Sequence, residues 1–354
     1  MRLLHLALAA ILLSACTATS LAVDRPVLTP GGTVDTSCAA RTAAPLVRWQ
    51  RSVEADAREL SRWCRAVGEP VYVDAPAAAS GIVPSLDELT VLSWNAHLAE
   101  GELRNLIAKL KSGELTGEPV NHFVLLVQEL YRRGDAVPEF DIHDRSAFAI
   151  LPRDPESFDV DDHAAALGLS ILYVPSMRNG AELREDRGNA IVSTEPLIDP
   201  LALELPLARQ RRVALGAAVR VQTGDGPKRL ELLDAHLEPL SSPKTLWVFK
   251  NPRAAQVRAI LAVLDTDRYE DDDVAGVVLG GDFNTVRGGA REDAYRVARK
   301  WSTSLENEDP RDTHMMGRLD YLFAKLEDGW KMTTRRVDER FGSDHHPVVA
   351  SFSR

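Results

Sequence analysis

Asp282 and Asn284 stand two residues apart behind a pair of glycines, in the run Val277-Val278-Leu279-Gly280-Gly281-Asp282-Phe283-Asn284. A carboxylate beside an amide can hold a cation, take a proton from water and fix a phosphoryl oxygen, which is the equipment of metal-assisted hydrolysis. In extended chain the two side chains share a face. The residues before them have the length and apolar make-up of a buried strand, and the glycines permit a tight turn at its end. A strand-end turn capped by Asp and Asn is the plainer reading of these eight residues alone.

Other apolar runs end in the same way. Residues 89–94 lead into Asn95-Ala96-His97, residues 123–127 into Gln128-Glu129, and residues 230–233 into Asp234-Ala235-His236. Polar groups gathered at strand ends over an apolar core are where α/β proteins place their sites. Residues 318–323 read as a strand with Asp320 near its start. Gly342-Ser343-Asp344-His345-His346-Pro347 precedes a last strand over 348–352, and an Asp–His pair in that place suits acid–base work. Arg209-Gln210-Arg211-Arg212 is the sharpest basic cluster, suited to clamping a phosphate or else a solvated strand start.

Periodicity places further strands over 169–174, 187–193 and 213–219. Helices are expected over 103–110, from an Asn251 cap and Pro252 through Leu264, and over 292–301. Residues 131–168 are loop-like. Their Asp141, His143, Asp144, Asp159, Asp161, Asp162 and His163 offer ligands for calcium or a second metal, but the spacing is not that of an EF-hand and a solvated loop is the simpler reading.

The 354 residues are 45% hydrophobic and 27% charged, an ordinary globular composition. The net charge of -10 argues against holding a polyanion through bulk charge, though a local basic site around one scissile phosphate remains compatible with it. The three cysteines, Cys16, Cys38 and Cys64, lack zinc-site spacing. Arg2, the apolar residues 3–13 and Leu13-Ser14-Ala15-Cys16 read as a bacterial lipoprotein signal peptide over 1–15, with Cys16 the lipidated residue. The apolar stretch is too short to span a bilayer, so the acyl chains would be the anchor. The expectation is an exported lipoprotein, membrane-anchored in the periplasm or outer membrane and monomeric, in which Cys38 and Cys64 pair as a disulfide. Residues 16–44, rich in Thr, Ala, Pro and Gly, read as a flexible tether. Leu46, Trp49, Val53, Leu60, Trp63 and Val67 follow Pro45 at helical spacing, so 45–85 reads as a helical brace and linker ahead of a catalytic domain over 86–354.

Taken in order, SWNAH, LLVQEL, RGNAIVS, DAHLEP, GGDFNT, RLDYLF and SDHHPV resemble the motifs of the endonuclease/exonuclease/phosphatase superfamily, over residues 89–352. The resemblance implies an α/β (α+β) fold, a four-layer α/β/β/α sandwich of two mixed sheets that is deoxyribonuclease I-like, with the site at one edge. It implies Mg²⁺ or Mn²⁺, with room for a second divalent metal. Asn95 and Glu129 would be the primary metal pair, and Asp344 would serve a second metal position or hold the site together. Asp282 and Asn284 would activate and orient the attacking water. His236 would donate to the phosphoryl oxygen or the leaving group, and His345 would act as acid/base, oriented by Asp320. Asn189 and either Arg211 or Arg212 would touch the substrate.

His97 departs from the abasic-site endonuclease branch, which has an acidic residue there. The sequence looks more like the branch holding sphingomyelinases, phosphatases and secreted nucleases. The implied activity is hydrolysis of phosphodiester bonds by metal-assisted in-line water attack, most simply as an exported nuclease. The alternatives are a phosphatase or sphingomyelinase-like phospholipase on lipid headgroups, and a non-catalytic surface binding module on the same fold. The partner would be nucleic acid or a phospholipid headgroup.

Overall fold

The computed structural model describes residues 19–20, 23–27, 47–51, 57–73, 83–98, 100–139, 166–178, 184–208, 210–239, 252–265, 269, 271–286 and 291–354. The first strands are β1 (Thr19–Ser20), β2 (Val23–Val27) and β3 (Val47–Arg51), followed by α1 (Ala57–Ala66) and β4 (Val71–Val73). Then come β5 (Leu89–Asn95), α2 (Leu103–Ser112), β6 (His122–Arg133), β7 (Ser170–Met177), β8 (Glu185–Ser193), β9 (Ile198–Glu204), β10 (Val213–Thr223) and β11 (Gly226–His236). The last part holds α3 (Pro252–Leu264), β12 (Val274–Asp282), α4 (Asp293–Trp301), β13 (Leu305–Asn307), β14 (Asp320–Leu326), β15 (Lys331–Arg336) and β16 (Val348–Ser353).

Among the described residues these strands make two mixed sheets. One runs β1-β4-β7-β8-β6-β5-β16-β15-β13 and the other β14-β12-β11-β10-β9-β3-β2. The central strands read as unbroken apolar runs because both of their faces are covered. In β5 and β6 the two periodicities separate cleanly. Val91, Val124 and Leu126 face the second sheet and join Leu215, Leu232 and Val278 in one core. Leu92, Trp94, Leu125 and Val127 face the other way, onto Leu103, Leu106, Ile107 and Leu110 of α2. The helices α3 and α4 add Val257, Ile260, Leu264, Ala294 and Ala298 to the core of the second sheet. The layers are therefore helix, sheet, sheet, helix, as the sequence predicts.

Two parallel pairings bring the chemistry together. Strand β5 lies parallel to β6, with Asn95 opposite Gln128. Strand β11 lies parallel to β12, with His236 opposite Asp282, and β14 runs antiparallel on the far side with Asp320 opposite the same Asp282. Parallel neighbours end at the same edge, so the polar termini of all these strands collect there.

The glycines before Asp282 act differently from expectation. They lie inside β12, not in a turn after it. A Cβ on Gly281 would stand 1.9 Å from the Ala235 carbonyl oxygen, and Gly281 has φ +137°. Only a residue without a side chain lets β12 lie this close to β11 at the site.

The N-terminal region is also not as the periodicity predicts. Among the described residues of this stretch the helix is α1 alone, while residues 47–51 form a strand parallel to β9. Val47 and Trp49 are buried and Arg48 and Gln50 less so, the period-two alternation of a strand that the longer helical count obscured. Part of the stretch read as a tether forms β1 and β2, and β4 joins the first sheet, so both sheets extend well before residue 86. Cys64 is disulfide-bonded. Cys16, Cys38, Arg209, Asn251 and the Asp/His-rich positions Asp141, His143, Asp144, Asp159, Asp161, Asp162 and His163 lie outside the described residues.

Candidate active site

One carboxylate oxygen gathers the site. Oδ2 of Asp282 accepts a hydrogen bond from Asn95 Nδ2 at 3.0 Å. The same oxygen lies 3.5 Å from His236 Nε2 and 3.9 Å from His345 Nε2. The other oxygen, Oδ1, accepts the backbone N–H of Asn284 at 2.8 Å. Burial and the neighbouring Asp320 push Asp282 up to about 7, against the pull of His345 and its two hydrogen bonds.

Asn284 does not continue the strand. It takes a left-handed backbone, φ +52°, and its Nδ2 donates to the Leu237 carbonyl at 2.9 Å. The amide is thereby fixed and its Oδ1 is the atom left for a water. Asparagine tolerates this conformation better than most residues, which accounts for the side-chain type.

Glu129 also has a positive φ, +60°. It sits where the β6–β8 ladder shifts register between Val127 and Leu130. The bulge turns the carboxylate off the regular alternation and toward the site rim, a common use of such irregularities. Oε2 accepts the Leu98 N–H at 3.2 Å and Oε1 lies 3.8 Å from His236 Nδ1. Asn95 Oδ1 accepts the His97 N–H at 2.9 Å.

The terminal Asp–His pair is held by the end of β5. Ser343 Oγ donates to the Asn95 carbonyl at 2.7 Å, and Trp94 Nε1 donates to the His345 carbonyl at 3.2 Å. His345 Nδ1 lies 2.8 Å from Asp320 Oδ2. Burial alone would lower the imidazole, but Asp320, Asp282 and Asp344 raise it to about 10. His236 shows the opposite balance. Burial, with Arg212, Arg187 and His345 adding to it, holds it well below the usual range and therefore neutral.

Asp344 sits between two further histidines. His97 Nδ1 is 3.1 Å from Oδ1 and His314 Nε2 is 3.2 Å from Oδ2. Burial would raise this carboxyl, but the bond from His97 and the charges of the surrounding imidazoles hold it well below the usual range. His314 has a fixed tautomer. Its Nδ1 accepts the Met316 N–H at 3.1 Å, so Nε2 carries the hydrogen given to Asp344. Although Nε2 is near Asp344 and His345 oxygen and nitrogen atoms, it has no free lone pair for a cation in that state.

The donor types of the expected metal pair suit a hard divalent cation. Glu129 and Asn95 offer oxygen ligands, as Mg²⁺ and Mn²⁺ prefer. Ligand atoms of Asp282, Asp320 and His345 lie within 4.8 Å of one another, and Asp320 Oδ1 is buried with no hydrogen-bond partner. Two adjacent buried carboxylates and an unused oxygen are a setting that positive charge relieves.

The basic cluster divides. Arg211 is fully buried, its guanidinium bridging both oxygens of Glu204 and donating to the Pro175 and Ser176 carbonyls at 3.0 Å each. It also lies over the Trp49 ring. This corrects the reading of Arg211 as a substrate contact, because its donors are used inside the protein. Arg212 is the one whose charge reaches His236, Glu129 and Asp282. Asn189 is buried and donates to the Val213 carbonyl at 3.1 Å. Sequence reasoning missed Arg187, although it opens the RGN motif, and missed His314, which no motif marks.

No protein-family model matches the chain, and no curated protein does. Solved structures do. An endonuclease/exonuclease/phosphatase family protein from Leptotrichia buccalis is 15% identical, covering 75% of this chain and 100% of its own, with a TM-score of 0.50. The human Nocturnin catalytic domain with bound sulfate is 16% identical over 78% of this chain and 99% of its own, TM-score 0.47. Sphingomyelinase C from Streptomyces griseocarneus is 18% identical over 76% and 99%, TM-score 0.46. The first of these likenesses shows the fold, which is deoxyribonuclease I-like.

Proposed function

We propose that this deoxyribonuclease I-like chain is a metal-dependent phosphodiesterase that hydrolyses its substrate by in-line attack of water. One observation carries the reading. Asn95, His236 and His345, remote in sequence, converge within 3.0, 3.5 and 3.9 Å of a single oxygen of Asp282. Structural packing alone does not need two imidazoles and an amide on one buried carboxylate, whereas proton transfer at phosphorus does.

Asp282, ionised above about 7, takes the proton of the attacking water, which the Asn284 Oδ1 orients. His345, kept cationic by Asp320, gives a proton to the leaving oxygen. Neutral His236 donates to a phosphoryl oxygen. Glu129 and Asn95, with Asp344 close by, would hold Mg²⁺ or Mn²⁺, which when bound offsets charge on the phosphoryl oxygens. Arg187 and Arg212 beside His236 suit one phosphate group. In the same reading Cys16 is lipidated and anchors an exported, monomeric protein to the membrane.

The test is hydrolysis of bis(p-nitrophenyl) phosphate and p-nitrophenyl phosphate by the purified chain in Mg²⁺ or Mn²⁺, with and without EDTA. The diester is expected to be cleaved in a chelator-sensitive way and faster than the monoester. No turnover of either by a folded, metal-loaded chain would leave the binding-module alternative.

A further inference from the structure

Met315 is 85% exposed and Met316 50%, and they are the exposed large apolar side chains among the described residues. Single surface hydrophobes are ordinary, but two neighbours at the tip of a turn need a reason. The turn is rigid. His314 and Gly317 exchange backbone hydrogen bonds of 3.0 Å in both directions, and Gly317 takes φ +124°. It is also wired to the site. The Met316 N–H holds His314 Nδ1, His314 Nε2 holds Asp344, and the His314 ring lies 4.6 Å from that of His345.

The apolar tip thus stands at the rim, one side chain away from the proton donor. Its surroundings carry no surplus of positive charge: residues 309–318 contain Asp309, Asp312, Arg311 and Arg318, Glu308 pairs with Arg318, and Asp344 lies against His314. The chain as a whole is at -10. An apolar tip with no surplus of positive charge, on an acidic protein, matches a zwitterionic bilayer. It does not match a nucleic acid, which asks for basic residues, or an anionic surface. Methionine's unbranched, polarisable side chain suits insertion among mobile apolar groups.

We infer that Met315 and Met316 form a docking tip that seats the site on a zwitterionic phospholipid bilayer, so that a phosphodiester headgroup enters beside His345. This rests on the phosphodiesterase reading and names the substrate surface for it.

Two measurements test it. In the full chain, Met315→Cys carries an environment-sensitive fluorophore, attached under conditions where the wild-type chain does not react. Phosphatidylcholine–sphingomyelin vesicles are expected to shift its emission to the blue, and nitroxide-labelled lipid to quench it. Plasmid DNA should do neither. No shift with vesicles, or a shift with plasmid instead, overturns the proposal. In parallel, Met315→Ser/Met316→Ser should lose at least ~10-fold in hydrolysis of vesicle phospholipid while keeping its rate on soluble bis(p-nitrophenyl) phosphate. Equal loss on both would make the turn a structural element only and overturn the docking role. Insertion without any turnover by the wild type would instead remove the phosphodiesterase reading while the docking tip stands.

Discussion

Asp320 Oδ2 lies 2.8 Å from His345 Nδ1, with both side chains buried behind the last strand. The contact sets the charge of the imidazole, which is raised to about 10 by Asp320, Asp282 and Asp344 in spite of its burial. Asp282, raised to about 7 by burial and by Asp320, needs the reverse state. A base that must be unprotonated and an acid that must be protonated give a bell. The rate kcat/KM is expected to rise as pH passes about 7 and to fall as it approaches about 10. His345→Gln should lower the rate and remove the alkaline limb. A wild-type profile with no decline up to pH 11 would separate His345 from proton transfer.

Asp282→Asn keeps the shape of the side chain and removes the base. Losing one well-placed electrostatic or proton-transfer group commonly costs ~10²–10³ in rate. We expect a fall of that size in kcat with an unchanged circular dichroism spectrum. If a folded Asp282→Asn chain keeps most of its chelator-sensitive turnover, the pocket is not where the chemistry happens.

The Arg211–Glu204 pair makes a contrasting prediction. Breaking a buried ion pair from one side leaves the other charge unpaired, at a cost of roughly 3–5 kcal/mol. Arg211→Met should therefore lower the midpoint of thermal unfolding by many degrees, with the activity of the still-folded fraction within about threefold of wild type. Arg212→Met should instead depress turnover. The two variants are told apart by measuring activity per folded molecule, and a catalytic loss confined to Arg211→Met would reverse the assignment.

Glu231 gives a pH-dependent stability away from the site. Burial pushes its carboxyl up to about 7, with Arg229, 3.4 Å away, pulling against it. The folded state thus prefers the protonated form. Its contribution is fully present below the ordinary value of 4.5 and is lost as pH rises through about 7. Glu231→Gln cannot ionise, so denaturant melts should show the variant gaining on wild type by roughly 1–3 kcal/mol between pH 5 and 8. Parallel pH curves for the two proteins would contradict the burial argument.

Much of this was readable from residue types. Apolar runs with polar ends marked β5, β6, β11 and β12, because strands covered on both faces leave a signal that does not depend on long-range context. Asn95, His236 and Asp282 end such strands, Asp320 opens β14, His345 stands just before β16 and Glu129 sits at a bulge inside β6, and their roles could be named only through the motif resemblance. What the sequence left hidden was pairing. Val47 and Trp49 fit a helical count as well as a strand, and only contact with β9 decides between them. Arg211 and Arg212 are adjacent and chemically identical, but the segment that enters β10 turns one onto Glu204 and the other toward the site. His314 had no motif to mark it, since its role depends on a carboxylate thirty residues further along the chain.

Strand β16 closes the first sheet by pairing with β5, and Asp344 and His345 lie immediately before it. In the proposed mechanism the proton donor therefore reaches Asp282 only when β16 docks onto β5. Docking of that strand would then act as a safety catch, since a chain with β16 undocked keeps Asp282 and His236 but holds His345 away from them.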